Sequence, residues 1–118
     1  MRLSLPSWIE DIYPEPLTST AALVYGYWNY DALIKSIYTG NLLKKMITDS
    51  VAKKNETLSP KGRKVFMYSG HDSTLGCLLN ALDVVEPHIP PYGSAIMLEL
   101  RKDVHNNYFF IVSCLNNK

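Results

Sequence analysis

The sequence predicts an α/β fold, and within it only part of a sheet domain. Three observations carry this. Apolar residues recur at helical spacing over 20–54 and again over 73–82. Short apolar or alternating runs at 64–68, 94–101 and 108–114 read as strands. Those strands need more neighbours than this chain offers, so the sheet is expected to be incomplete. At 118 residues, 47% hydrophobic and 19% charged, the composition is globular and argues against disorder.

Residues 1–19 are expected to be irregular, because Pro6, Pro14 and Pro16 interrupt any regular pattern. Trp8, Ile9 and Ile12 are candidate anchors to a core, and Thr18, Ser19 and Thr20 are residue types that cap helices. From Ala21 to about Tyr38, Leu23, Tyr27, Tyr30, Ile34 and Ile37 predict a helix, weakened by Gly26. Gly40 is placed to end it and Asn41 to cap the next. In that second helix Leu42, Leu43, Met46, Ile47 and Val51 form a stripe, with Lys44, Lys45, Asp49 and Lys53 on the other side. So short a connection predicts a helical hairpin or a kinked long helix. Residues 55–62, with Pro60 and Gly62, read as a surface loop.

Residues 64–68 predict a buried strand. The tight turn Ser69-Gly70-His71-Asp72 comes next, then a helix over 73–82 with Leu75, Leu78, Leu79 and Leu82 at helical spacing. Pro87, Pro90 and Pro91 make 83–93 a loop. Ser94 to Arg101 alternates, with Ile96, Leu98 and Leu100 on one face and Met97, Glu99 and Arg101 on the other. Tyr108 to Cys114 is expected to pair with it as a hairpin across the polar turn 102–107. The sequence shows no internal repeat and no low-complexity segment.

The charge balance removes some functions. Lys and Arg total 12 against 11 Asp and Glu, for a net charge of +1. No dense basic block stands out, so nucleic-acid binding has little electrostatic support. Lys44-Lys45 and Lys53-Lys54 read as helix-surface charge. No apolar run approaches the roughly 20 residues that span a bilayer. Pro6 and Trp8 come too early for a secretory apolar region, so the chain as written is expected to lack an export signal. Cys77 and Cys114 leave disulfide pairing open. Asn55-Glu56-Thr57 is a glycosylation sequon and makes Asn55 a candidate in a secreted protein.

The chemistry concentrates at His71-Asp72, where a predicted strand meets a predicted helix. Ligands bind outside the carboxyl ends of strands in such sheets, often at a helix N-terminus. In phosphoryl or acyl transfer, His71 would contact an oxyanion and Asp72 would give a proton to the leaving group. A metal site needs three or four ligands, and the other histidines, His88 and His105, have no ligand spacing, so no metal is expected. The turn also lacks the G-x-S-x-G of a serine hydrolase. Cys77 reads as a core residue. Against these stands a structural reading, in which Asp72 caps the helix starting near Ser73 and His71 is a polar residue at a strand end. Spacing alone does not choose between them.

The combined pattern is more specific. Tyr68-Ser69-Gly70-His71-Asp72-Ser73-Thr74, Ala81-Leu82-Asp83, Pro90-Pro91-Tyr92-Gly93-Ser94 and Glu99-Leu100 resemble the C-terminal half of histidine acid phosphatases. The closest branch is the animal one, of lysosomal, prostatic and insect-venom type. Leu5-Pro6-Ser7-Trp8 and Gly40-Asn41-Leu42-Leu43 look similar too, so the resemblance covers nearly the whole chain. It implies one partial domain over 1–118: cap-side or flanking helices at 20–54, and a strand-helix-strand-strand part of the sheet domain at 64–114. It implies metal-free hydrolysis of small phosphate monoesters through a phosphohistidine, with no cofactor. His71 would hold phosphate and Asp72 would be the proton donor. The family's nucleophilic histidine lies in an Arg-His-Gly motif, and this sequence has none. Its arginines are Arg2, Arg63 and Arg101, none beside a histidine. No nucleophile is therefore assigned here, and this chain alone is expected not to turn over phosphate esters. The family implies a secreted or lysosomal location and leaves open a homodimer of the full-length protein. Two other readings stand beside the enzyme: a non-catalytic truncated paralogue, and an α/β interaction module in which Asp72 is only a helix cap.

Overall fold

The computed structural model describes residues 4–28, 30–84 and 88–115. After a 3-10 turn at Ser7–Asp11, helix α1 spans Leu17–Tyr27. It begins earlier than its apolar spacing suggests. Thr18 Oγ1 and Ser19 Oγ donate back to the carbonyls of Pro14 and Pro16 at 2.7 and 3.0 Å, so these hydroxyls lie inside the helix. The N–H of Ser19 is met instead by Glu15 Oε2 at 3.2 Å. Trp8 and Ile12, expected as core anchors, are exposed, while Ile9 is half-buried.

The single helix expected to about Tyr38 is broken. Asp31 is extended at φ −134°, and its Oδ1 accepts the Ile34 N–H at 2.8 Å. That cap starts a new helix, α2, at Ala32–Lys35. Gly40 does not end the helical path. Its backbone is right-handed helical (φ −55°, ψ −41°), and α2 runs through a π-helical turn at Ser36–Gly40 into α3, Asn41–Lys54. Glycine is permitted at a helix end but not compelled to be one. Of the two arrangements open at the Gly40 connection, the kinked long helix forms, over 32–54, and the hairpin does not. The expected outer stripe is also bare: Leu23, Tyr27, Tyr30 and Ile37 are 61–78% exposed, whereas Tyr25 is buried.

The C-terminus of α3 is closed by Asn55, with Glu56 left-handed at φ 59°. Lys53 Nζ then donates to the carbonyls of Lys61 and Arg63 at 3.1 and 2.9 Å and pins the loop beneath the helix. The strand expected at 64–68 does not form. Among the described residues the segment has no sheet partner, and Val65 and Met67 are 75% and 91% exposed. An apolar run has strand propensity, but a strand exists only where another strand takes its backbone groups.

Helix α4 is Asp72–Ala81, and its Gly76, Cys77, Leu78 and Leu79 are buried. Pro90 and Pro91 lie in irregular chain as expected, while Pro87 falls outside the described residues. The hairpin forms as its alternation predicts. Strands β1 (Ala95–Lys102) and β2 (Tyr108–Leu115) are antiparallel, with Leu98 opposite Val112 and Leu100 opposite Phe110. Asp103 builds the turn: its Oδ1 accepts the N–H groups of His105 and Asn107, each at 2.8 Å. Helix α3 faces the hairpin across a shallow groove lined by Ile47, Val51, Lys54, Leu100, Tyr108 and Phe110.

Among the described residues the hydrophobic core is small, Tyr25, Leu58, Cys77, Leu78 and Leu79, with Thr39 the buried polar residue. The accessible surface is 9475 Å², against about 6,500 Å² for a folded monomer of this mass. The radius of gyration is 18.3 Å, against about 13.5 Å for a compact domain of this length. Helices and a two-stranded sheet thus form an α/β arrangement that leaves much apolar surface open. Among the described residues no helix is long and apolar enough to cross a membrane.

Candidate functional site

The chain reaches α4 in extended form. His71, at φ −86° and ψ 169°, is the N-cap residue, and Asp72 is the first residue of the helix. The cap position therefore falls one residue earlier than the simple capping of a Ser73 start by Asp72. The carbonyl of His71 accepts the N–H groups of Thr74 and Leu75 at 3.0 and 3.2 Å. In return Thr74 Oγ1 accepts the His71 N–H at 3.3 Å. Gly70 makes room for this fold-back, since a Cβ there would sit 3.0 Å from Thr74 Cβ.

His71 and Asp72 are both exposed at the positive end of α4. Negative charge is favoured there by the helix dipole and the unpaired first-turn N–H groups. Asp72 Oδ1 accepts the N–H of Ser73 at 2.6 Å. The arrangement puts an exposed imidazole and an exposed carboxyl on consecutive residues of a helix start.

Sequence spacing gave no hint of Tyr25. It is 8% exposed, and its ring lies against Gly76 of α4. A Cβ at Gly76 would stand 2.5 Å from Tyr25 Cδ1, so only glycine admits the ring at this distance. The Tyr25 hydroxyl is hydrogen-bonded to the Asp72 side chain. Burial, then that bond and the charge of Asp72, push the phenol above its ordinary value of 10.0. Trp28 meets Tyr25 edge to face at 5.0 Å and stacks on Tyr38 at 6.3 Å. One signal existed in the sequence: Gly76 interrupts a leucine-rich helix, as a glycine does where something large approaches.

The other candidates lie elsewhere. His105 is in the hairpin turn and His88 in the segment before β1. Among the described residues no three His, Cys, Asp or Glu side chains come together in a way that could hold a metal. Cys77 is buried in α4, as its place on the leucine-rich helix suggested, and Cys114 is exposed on β2. Arg63 stands over the Phe66 ring at 5.3 Å, and Arg101 pairs with Glu99 at 2.8 Å. Arg2 lies outside the described residues. Asn55 is exposed at the end of α3.

Comparison with known proteins gives a consistent result. The profile of the histidine phosphatase superfamily (branch 2) matches residues 15–115. Venom acid phosphatase Acph-1 of Apis mellifera is 34% identical over 111 residues, which are 93% of this chain and 28% of that protein. Human prostatic acid phosphatase is 34% identical over 82% of the chain and 25% of its own length. Lysosomal acid phosphatase of Xenopus laevis is 31% identical over 89% of the chain and 24% of its own length. The chain thus spans about a quarter of the length of the curated relatives it matches. No solved structure matches.

Proposed function

Because the chain belongs to the histidine phosphatase superfamily, branch 2, we propose that it supplies the acid half of a phosphatase site that hydrolyses small phosphate monoesters. His71 contacts the phosphate and Asp72 protonates the departing alcohol. The observation that supports this most is the placing of Asp72 as the exposed first residue of α4, beside His71. An alkoxide is a poor leaving group, and a positioned carboxylic acid lowers the barrier by protonating it. The charge on the phosphoryl oxygens is met by the helix start and His71. The nucleophile, a histidine in an Arg-His-Gly motif by family likeness, is not among the 118 residues. No cofactor enters the reading.

The test is a leaving-group series in the full-length phosphatase that contains this segment. Asp72→Asn should slow an alkyl phosphate far more than p-nitrophenyl phosphate, whose leaving group needs little help. Equal loss on both substrates would remove Asp72 as the acid. The isolated 118-residue chain should not hydrolyse p-nitrophenyl phosphate. Turnover by it that disappears in Asp72→Ala would mean the nucleophile lies within these residues.

The names of the relatives, a venom and a lysosomal enzyme among them, favour a secreted or lysosomal location. In that setting Asn55 of Asn55-Glu56-Thr57 carries a glycan, being exposed at a helix end. Protein from a secretory host that does not change mobility with endoglycosidase would count against it.

A further inference from the structure

We propose that Tyr25 is a positioning residue for the acid: its hydroxyl holds the Asp72 carboxyl in the orientation that delivers a proton to the leaving oxygen. This rests on the reading of Asp72 as general acid and adds the group that aims it. Asp72 alone is poorly fixed. It is exposed, and within its own helix its carboxylate meets the neighbouring Ser73 N–H. Tyr25 comes from a different helix and is itself well held. It is buried, its ring is wedged against Gly76, and Trp28 closes on it edge to face at 5.0 Å. The Trp28 ring is in turn stacked on Tyr38, next to the buried Thr39 in the π-helical turn. A short chain of packed rings thus connects the helical segment to the acid.

The proton balance is simple. As the bridging P–O bond breaks, the phosphoryl group passes to the nucleophile and the alcohol oxygen takes the Asp72 proton. Asp72 is left as a carboxylate. A phenol donating to a carboxylate makes a charge-assisted bond, stronger than one to the neutral acid. The Tyr25 bond therefore strengthens as the proton leaves, which favours the transition state over the ground state. Tyr25 keeps its own proton throughout, because burial and then the Asp72 carboxyl hold its phenol above the ordinary range. The titratable groups that face it from α4 are Asp72 and the buried Cys77 thiol.

The experiment is Tyr25→Phe beside Asp72→Asn, in the full-length phosphatase, with an alkyl phosphate and p-nitrophenyl phosphate. Phenylalanine keeps the ring against Gly76 and removes only the hydroxyl. The expected result is a fall of about tenfold in the ratio of kcat on the alkyl ester to kcat on the nitrophenyl ester. Inhibition by inorganic phosphate should be unaltered, since His71 and the helix start are untouched. Discrimination by Asp72→Asn but none by Tyr25→Phe overturns the inference and leaves Asp72 as the acid. Loss of phosphate inhibition together with equal slowing on both esters would mean that Tyr25 is structural only, which also overturns it. If Asp72→Asn itself does not discriminate, the acid assignment fails and the role of Tyr25 fails with it.

Discussion

Gly76→Ala is an informative change, because two well-measured effects oppose each other there. In an ordinary helix interior, alanine for glycine stabilises by about 1 kcal/mol. Gly76 lies within α4 and would be expected to follow that rule. Its ideal Cβ, however, stands 2.5 Å from Cδ1, 3.2 Å from Cε1 and 3.6 Å from Cγ of Tyr25. Carbon atoms are at their best about 3.5–4.0 Å apart. The overlap falls on the inner part of a ring and not on the tip of a flexible chain, so the whole side chain must swing. Overpacking of this kind costs about 1–3 kcal/mol. We expect a net destabilisation of about 1 kcal/mol, and a displaced ring no longer in reach of Asp72. In a Tyr25→Leu background the flexible side chain can step aside, and the same substitution should stabilise. Urea denaturation followed by helical circular dichroism, run as a double-mutant cycle, should give a coupling of about 2 kcal/mol. If Gly76→Ala stabilises equally in both backgrounds, the close contact of α1 with α4 is not there and Tyr25 does not back the acid.

Two further expectations come from single side chains. Thr39 is 2% exposed and its hydroxyl has no hydrogen-bond partner among the described residues, so Thr39→Val should raise stability by about 1 kcal/mol in the same denaturation assay. A loss would show that the hydroxyl is satisfied in solution. Asp103 is held below the ordinary carboxyl value of 3.8 by the side-chain and then the backbone donors of Asn107. A depressed folded-state pKa gives stability that is present above the unfolded value and is lost as pH falls through the folded one. The midpoint of the Asn107 amide NMR signal against pH should therefore lie below 3.8. A midpoint at or above 3.8 contradicts the turn geometry, and Asp103→Asn should abolish the transition.

Local patterns were legible and distant ones were not. The hairpin could be read because alternation and its Asp103 turn are short-range, and α4 because Leu75, Leu78 and Leu79 repeat within the helix itself. Residues 64–68 misled because strand formation depends on a partner, and apolar character says nothing about whether one is present. The break before α2 was hidden because Tyr27, Tyr30 and Ile34 keep helical spacing straight across it. What starts a new helix there is one capping carboxylate, that of Asp31. The His-Asp pair could be found because its two members are adjacent. Tyr25 could not, since it lies off the counted stripe and its partners Gly76 and Asp72 are far along the chain. Gly40 shows the opposite error, a residue that permits a helix end being read as one that imposes it.

The π-helical turn at Ser36–Gly40 also sets a phase. A turn that closes over five residues holds one residue more than an α-turn, so everything downstream is rotated about 100° around the axis. Ile47, Val51 and Lys54 owe to that offset the azimuth at which they meet Leu100, Tyr108 and Phe110. The sequence of α3 therefore does not by itself determine which side of α3 the hairpin sees. Deleting a single residue between Ser36 and Gly40 would straighten the helix and leave the same face of α3 toward β1 and β2, whereas straightening it with every residue kept would turn that face away by about 100°. The wide turn at this length, more than residue identity, acts as the setting that aligns helix and sheet.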